Sequence, residues 1–242
     1  MKTYQIHFIR HGIIDGNLSG KYIGSTDCSL CEKGKEQLKT LAENYDYPGA
    51  GAFFTSPMKR CTETLAILYP DATPIVIDAF REICFGEFEG KDANELFKNK
   101  DFSEWLAGGG VDAPPGGESS ADFAHRVCEI FEMVVTGIMK TDITSVVIVA
   151  HAGVIMTILS RYGLPQAPMN DWLMDNGCGY SVRIHPQLWS SGKVFEVYDV
   201  IPRGALEEMD DEQRRLYELG REASSIAGEE KAEPVEEEQT EE

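Results

Sequence analysis

Two short stretches constrain this chain more than any others. The first, "IHFIRHGIIDGN" at residues 6–17, is an apolar run that ends in arginine and histidine and passes at once into glycine. The second, "SVVIVAHAGVI" at residues 145–155, repeats the order with an apolar run, a histidine, an alanine and a glycine. Continuous apolar runs of this length suit strands covered on both faces. Around them the apolar period lengthens to that of helices. Helical patterns are predicted over residues 31–45 (stripe Leu38, Leu41, Ala42, Tyr45), 58–69 (Cys61, Leu65, Leu68), 120–140 (Phe123, Val127, Ile130, Phe131, Val134, Ile138) and 154–162. Pro57 suits the first turn of the second of these helices.

Strands are predicted at 4–9, 52–55, 74–77, 145–150, 180–185 and 194–199, the last two as a closing hairpin at a sheet edge. Strands alternating with helices imply an α/β fold, a three-layer α/β/α sandwich around a mostly parallel sheet. Residues 82–118 read as an irregular insertion over the active site, with a short helix near 93–98 and the loop "GGGVDAPPGGES". The expected organisation is one domain over 1–205, a C-terminal helix over 206–222 carrying Leu206, Met209, Leu216 and Leu219, and a disordered acidic tail over 223–242.

The formal charge of −19 sits largely in that C-terminal part, where 15 acidic and 4 basic residues from Glu207 onward leave −8 for the first 206 residues. This balance argues against a nucleic-acid surface and against docking on anionic lipid. No apolar run is long enough to span a bilayer, and "MKTYQIHF" carries no signal-peptide core, so a cytoplasmic location is expected. The six cysteines (Cys28, Cys31, Cys61, Cys84, Cys128, Cys178) read as reduced packing thiols. Cys28-Ser-Leu-Cys31 lacks the second pair that would complete a zinc set.

In an open α/β sheet, ligands bind outside the carboxyl ends of the strands. Arg10-His11-Gly12 and His151-Ala152-Gly153 both occupy such ends, and neighbouring strands would bring His11 and His151 into one crevice. Gly12 and Gly153 would let the backbone approach a ligand, and the amides opening the helix after His151 would favour an anion. A strand-end histidine is commonly just a hydrogen-bonded structural residue; the pairing of two, one fused to an arginine, points to function. Arg10 disfavours a metal at the same place, no H-x-H, H-E-x-x-H or H-x-x-E-H spacing occurs, and phosphate fits the guanidinium fork best. Arg60, in "TSPMKRCTET" after another short strand, is a second candidate cation. No G-x-S-x-G or P-loop is present.

The motifs together resemble the histidine phosphatase superfamily, in its phosphoglycerate mutase-like branch. They are "RHG" with Asn17 five residues on, "YIGSTDCSLCEKG", "TSPMKRCTETL", "REICFGEFEG", "PPGGES" and "VAHAGVI", in the family's order over roughly residues 4–200. The resemblance implies catalytic roles for His11 (phosphoryl-accepting nucleophile) and Glu82 (general acid, then base), and phosphate binding by Arg10, Asn17, Arg60 and His151. It implies no metal and no cofactor, and a small phosphorylated metabolite as partner. The family usually has Glu-Thr after R-H-G where this chain has Ile13-Ile14, so one possible phosphate contact is missing. Mutases of the family recognise a carboxylate through basic residues in the insertion; here residues 102–117 hold no Lys or Arg, and Phe85, Phe88, Phe97, Phe102 and Trp105 could line a larger, less charged pocket. This favours a phosphatase over a cofactor-dependent phosphoglycerate mutase. "GNLSGKYIGSTDCSL" is similar to the α-ribazole phosphatases of cobalamin assembly. A silent phosphate-binding pseudo-phosphatase is the alternative of another class, supported by Ile13-Ile14 and the acidic tail and opposed by intact His11 and Glu82.

Overall fold

The computed structural model describes residues 2–204, so the expected helix at 206–222 and tail at 223–242 lie outside the described residues. In chain order the elements are β1 (Tyr4–Arg10), α1 (Asp15–Leu18), α2 (Glu32–Asn44), β2 (Ala52–Thr55), α3 (Lys59–Leu68) and β3 (Ile75–Val76). They continue with α4 (Ala93–Leu96), α5 (Lys100–Ala107), α6 (Ser120–Met139), β4 (Ser145–Ala150), α7 (Ala152–Tyr162), β5 (Gly163–Leu164), β6 (Gly179–Ile184), α8 (Pro186–Gly192) and β7 (Phe195–Ile201).

The strands form one sheet in the order β3-β2-β4-β1-β6-β7-β5. Parallel pairing joins β1 with β4, β2 with β4, β2 with β3 and β5 with β7; only β6 runs antiparallel to its neighbours. Alternation along the strands separates two cores. Ile6, Phe8, Val146 and Ile148 pack with Phe123, Val127 and Phe131 of α6 and Ile155 and Leu159 of α7. Ile9, Val147 and Val149 face the other way onto Cys61 and Leu65 of α3. The central strands are thus covered on both faces, which is why β4 reads as an unbroken apolar run. Each fully buried aliphatic or aromatic side chain contributes about 1.5–3 kcal/mol, so α6, with six buried apolar residues, is tied into the core as firmly as α7, which buries the same number. The start of α6 is fixed by Ser119, whose Oγ accepts from the Asp122 amide at 3.1 Å.

The end of the chain differs from the sequence expectation. β6 and β7 pair antiparallel, but α8 joins them in place of a tight turn, and the sheet edge is the two-residue β5. Both α8 and α5 are too short for periodicity to register. Their signals are local: Pro186 in the first turn of α8, and Asn99 capping α5 by accepting from the amides of Asp101 and Phe102. Pro57 lies just outside α3, where Met58 is the N-cap.

The insertion folds around its own small core. Phe88, Leu96 and Phe102 are fully buried against Tyr22, Phe85 and Trp105. The aromatic residues expected to line a ligand pocket therefore mostly hold the insertion together, and Phe97 is exposed.

Candidate active site

β1 and β4 run side by side with Arg10 opposite Ala150, so the residues that follow them, His11 and His151, leave the sheet together. The His11 amide donates to the Ala150 carbonyl at 3.0 Å, and the two rings meet edge-on with centroids 5.3 Å apart. Both histidines are buried. The Nδ1 of His11 lies 2.7 Å from the Gly12 carbonyl. A carbonyl can only accept, so Nδ1 carries the proton and Nε2 keeps its lone pair. Burial, followed by the guanidiniums of Arg60 and Arg10, pushes the His11 pKa down to about 3, against the Gly12 carbonyl, which favours the cation. His11 is a neutral imidazole of fixed tautomer with a nucleophilic Nε2.

His151 is held from both sides. Its Nδ1 accepts from Arg60 Nε at 3.3 Å, which places the proton on Nε2, and Nε2 donates to Ser56 Oγ at 2.8 Å. Burial first, then His11 and the two arginines, holds its pKa well below the ordinary histidine range. Ser56 follows β2 just as His11 and His151 follow β1 and β4, so three adjacent strand ends build this corner.

Arg60 enters from the first turn of α3 and is 1% exposed. A buried guanidinium needs acceptors for its donors, and Arg60 Nη1 and Nη2 find the carbonyls of Thr26 (2.8 Å) and Gly24 (2.6 Å). That loop is itself strapped down by Glu89, whose carboxylate accepts from the amides of Ser25 (2.7 Å), Thr26 (2.7 Å) and Phe85 (3.1 Å) and from both hydroxyls. At Gly24 an added Cβ would sit 1.8 Å from the Ile83 carbonyl, so the loop can pass the segment after Glu82 only as glycine.

Arg10 donates through Nη1 to the Met174 carbonyl at 2.6 Å, while its Nε is buried with no partner among the described residues. Asn17 is exposed at the end of α1, and its Oδ1 accepts from the Ile14 amide (3.1 Å) and from Asn176 Nδ2 (3.4 Å). Asn176 also donates to the His11 carbonyl at 2.8 Å. Glu82 accepts from the Ile83 amide (3.0 Å, Oε1) and the Gly153 amide (2.9 Å, Oε2). Burial raises its pKa, although those two amides and the arginines pull the other way.

The matching family model is that of the histidine phosphatase superfamily (branch 1), and it covers residues 6–196. The chain belongs to the histidine phosphatase superfamily. It is similar to the adenosylcobalamin/α-ribazole phosphatase of Salmonella typhimurium, 24% identical over 185 residues that span 74% of this chain and 90% of that one. A 2,3-bisphosphoglycerate-dependent phosphoglycerate mutase of Gloeobacter violaceus is 31% identical over 163 residues, 62% of this chain and 72% of that one. A Schizosaccharomyces pombe protein named as a probable phosphatase is 37% identical over 97 residues, 39% of this chain, and the match spans only 46% of that protein. Among solved structures, the α-ribazole phosphatase of Shigella flexneri superposes with a TM-score of 0.68 at 23% identity, over 80% of this chain and 94% of that one, and shares its fold.

As a histidine phosphatase the chain has two local peculiarities. At position 14, where the family usually has a threonine, Ile14 is 1% exposed in a cluster with Leu30 and Leu38, so hydrocarbon fills the place of the hydroxyl. The two glycines expected to admit a ligand instead admit protein: a Cβ at Gly12 would meet Leu38 Cδ1 at 2.7 Å, and one at Gly153 would meet Glu82 Oε1 at 2.4 Å. Likewise the Gly153 amide, expected to face an anion at the start of α7, is taken by the Glu82 carboxylate.

Glu82 stands between two cavities. One, of about 910 Å³, runs from Glu82 and Gly153 along Ile23, Phe85, Phe123 and Met169, and Arg161 is the one Lys or Arg among its described lining residues. The other, of about 650 Å³, is bounded by Arg81, Arg126, Glu118 and Gly116. Among the described residues no cluster of three or more His, Cys, Asp and Glu could hold a metal ion. Cys28 and Cys31 are separate free thiols; Cys31 caps α2 by accepting from the Gly34 amide at 3.4 Å. No described helix is long and apolar enough to cross a membrane. Sequence reading missed Ser56, Asn176 and Arg126. Ser56 sits inside the quoted "TSPMKR", whereas Asn176 and Arg126 belong to no pattern and reach the site only through folding.

Proposed function

We propose that the chain is a phosphomonoesterase that works through a phosphohistidine on His11, with a small phosphorylated metabolite as substrate and without a metal ion. The observation that carries this reading is a neutral, tautomer-fixed His11 beside Arg10, whose buried Nε–H lacks an acceptor among the described residues. An unpaired buried donor is costly by about 1–3 kcal/mol, and a phosphate oxygen would satisfy it. In the first step the Nε2 lone pair attacks phosphorus and the bond to the leaving oxygen breaks. Glu82, with its raised pKa, delivers the proton that oxygen needs. Arg10, Arg60 and Asn17 hold the phosphoryl oxygens as charge spreads over them, and His151 joins them by turning its Nε2–H from Ser56 to the phosphate. In the second step Glu82, now ionised, takes a proton from water as the water attacks phosphorus; the bond from phosphorus to Nε2 breaks, its electron pair returns to the neutral His11, and phosphate is released. Splitting the displacement in two is what a nucleophilic imidazole offers.

The finer reading is α-ribazole 5′-phosphate. The similarity to α-ribazole phosphatases supports it, and so does the cavity of about 910 Å³ that extends from Glu82 between apolar walls. Return of the phosphate to a glycerate is less well supported, since that cavity has Arg161 as its one strong cation among the described residues. The test is turnover of α-ribazole phosphate, phosphoserine, 3-phosphoglycerate and p-nitrophenyl phosphate with EDTA present, for wild type and His11→Ala. The expected result is metal-independent release of phosphate that disappears in the variant. Turnover of α-ribazole phosphate no faster than of p-nitrophenyl phosphate would sink the finer reading. Phosphate binding without turnover in either protein would favour a pseudo-phosphatase.

A further inference from the structure

Arg126 lies on α6, more than forty residues from Glu82 in sequence, yet its guanidinium is built into the segment that carries Glu82. Nε and Nη2 grip the Glu118 carboxylate as a fork, at 2.7 and 2.8 Å. Nη1 donates to the carbonyls of Ala79 (2.8 Å) and Arg81 (2.9 Å), and Nη2 also reaches the carbonyl of Glu82 itself at 3.3 Å. A guanidinium has five N–H donors, and here each has an acceptor. The group lies 4.9 Å above the ring of Phe123, which is itself buried in the main core. Three backbone carbonyls, in the 3-10 turn Asp78–Phe80 and just after it, are therefore fixed to the well-buried helix α6 by one side chain.

From this geometry we infer that Arg126, oriented by Glu118, is a positioning residue for Glu82: it fixes the backbone from which the carboxylate reaches the Gly153 amide. The inference rests on the proposed role of Glu82 as the general acid. A positioned acid accelerates by about 10²–10⁴-fold, and the benefit is largest when the leaving group is poor. Lysine cannot replace the arginine, because a single ammonium cannot bridge a carboxylate and three carbonyls in one plane.

The experiment is kcat/KM for a series of aryl phosphates, from p-nitrophenyl to p-methylphenyl phosphate, with wild type, Glu82→Gln, Arg126→Gln, Arg126→Lys and Glu118→Gln. Because kcat/KM reports the phosphoryl-transfer step, loss of the acid appears as a steeper dependence on leaving-group pKa. Arg126→Gln is expected to lose about 10–100-fold on p-methylphenyl phosphate and less than about 3-fold on p-nitrophenyl phosphate. Arg126→Lys and Glu118→Gln should steepen the series in the same sense, so the inference stands or falls on them if Arg126→Gln does not fold. An equal loss across the series, or a series as flat as wild type, while Glu82→Gln steepens it, would overturn the positioning role alone. A series left flat by Glu82→Gln itself would overturn the role of Glu82 and the inference with it.

Discussion

The sharpest lever on this site is a single methyl group at Gly153. An added Cβ there would lie 2.4 Å from Glu82 Oε1 and 3.2 Å from Oε2. Ordinary contact begins near 3.4 Å, so the carboxylate must retreat by about 1 Å. The Glu82 side chain can swing, so the fold itself has little to resist, and alanine suits the first turn of α7 better than glycine by about 0.5–1 kcal/mol. That gain offsets part of the hydrogen bond lost when the 2.9 Å contact from the Gly153 amide opens. Catalysis has no such offset. A misplacement of about 1 Å in a reacting group costs on the order of 10²-fold, equivalent to about 2.7 kcal/mol of barrier. Gly153→Ala should therefore unfold within about 1 kcal/mol of wild type while kcat/KM on a poor leaving group falls about 100-fold. A second readout has a fixed sign. The Gly153 amide stabilises the ionised carboxylate and so lowers the Glu82 pKa; removing it raises that pKa, and the basic limb of the kcat/KM profile should move to higher pH. Activity within about 3-fold of wild type and an unmoved basic limb would show that Glu82 does not act from the position the Gly153 amide gives it.

Acid stability and the residue at position 14 offer two further tests. His11 and His151 are buried and neutral, with pKa values pushed below the ordinary 6.5, His11 to about 3. Their stabilising contribution is present above pH 6.5 and is lost as pH falls below it, because the unfolded chain then binds protons the native state refuses. Each loses about 1.4 kcal/mol per pH unit in that range. Glu82, with its pKa raised, works in the opposite sense as pH falls. Denaturant unfolding at pH 7.5 and pH 5 should show a shallower loss for His11→Ala than for wild type, and parallel losses would contradict a neutral buried His11. At position 14, Ile14→Thr places a hydroxyl into the cluster with Leu30 and Leu38. The expected cost is about 2 kcal/mol, read as a fall in thermal midpoint, and an unchanged midpoint would contradict the packing described for Ile14.

The parts of this molecule that were legible in sequence are those whose cause is local. β4 reads as a strand because it is covered on both faces, and α6 reads as a helix because one long stripe faces the sheet. The strand-end histidines were visible because two apolar runs stop at the same chemistry, and parallel pairing of β1 with β4 turns that repeat into proximity. Arg60 shares part of that signal, since it opens a helix just after the short strand β2, whereas Glu82 carries none and only the surrounding motif singled it out. The short elements α5 and α8 are set by caps and by contacts with distant residues. Phe88 and Phe102 looked like pocket aromatics because composition cannot tell which side of a loop faces its own core.

The groups around His11 are held less by one another than by what stands behind them. Arg60 keeps His151 in one tautomer only because the carbonyls of Gly24 and Thr26 hold the guanidinium in place, and those carbonyls are fixed by Glu89. Glu82 keeps its place because Gly153 leaves room for it and because Arg126 holds its backbone. In both cases a cation or carboxylate of the site is positioned by a charge from a different element: Glu89 from the insertion and Arg126 from α6. A low-dielectric site makes unpaired charges costly, so each supporting pair has to be complete. The consequence is directional. Substitutions at Glu89 or Arg126 should weaken function through displaced partners, whereas exposed pairs such as Lys100 with Glu104, which touch nothing in the site, should be silent.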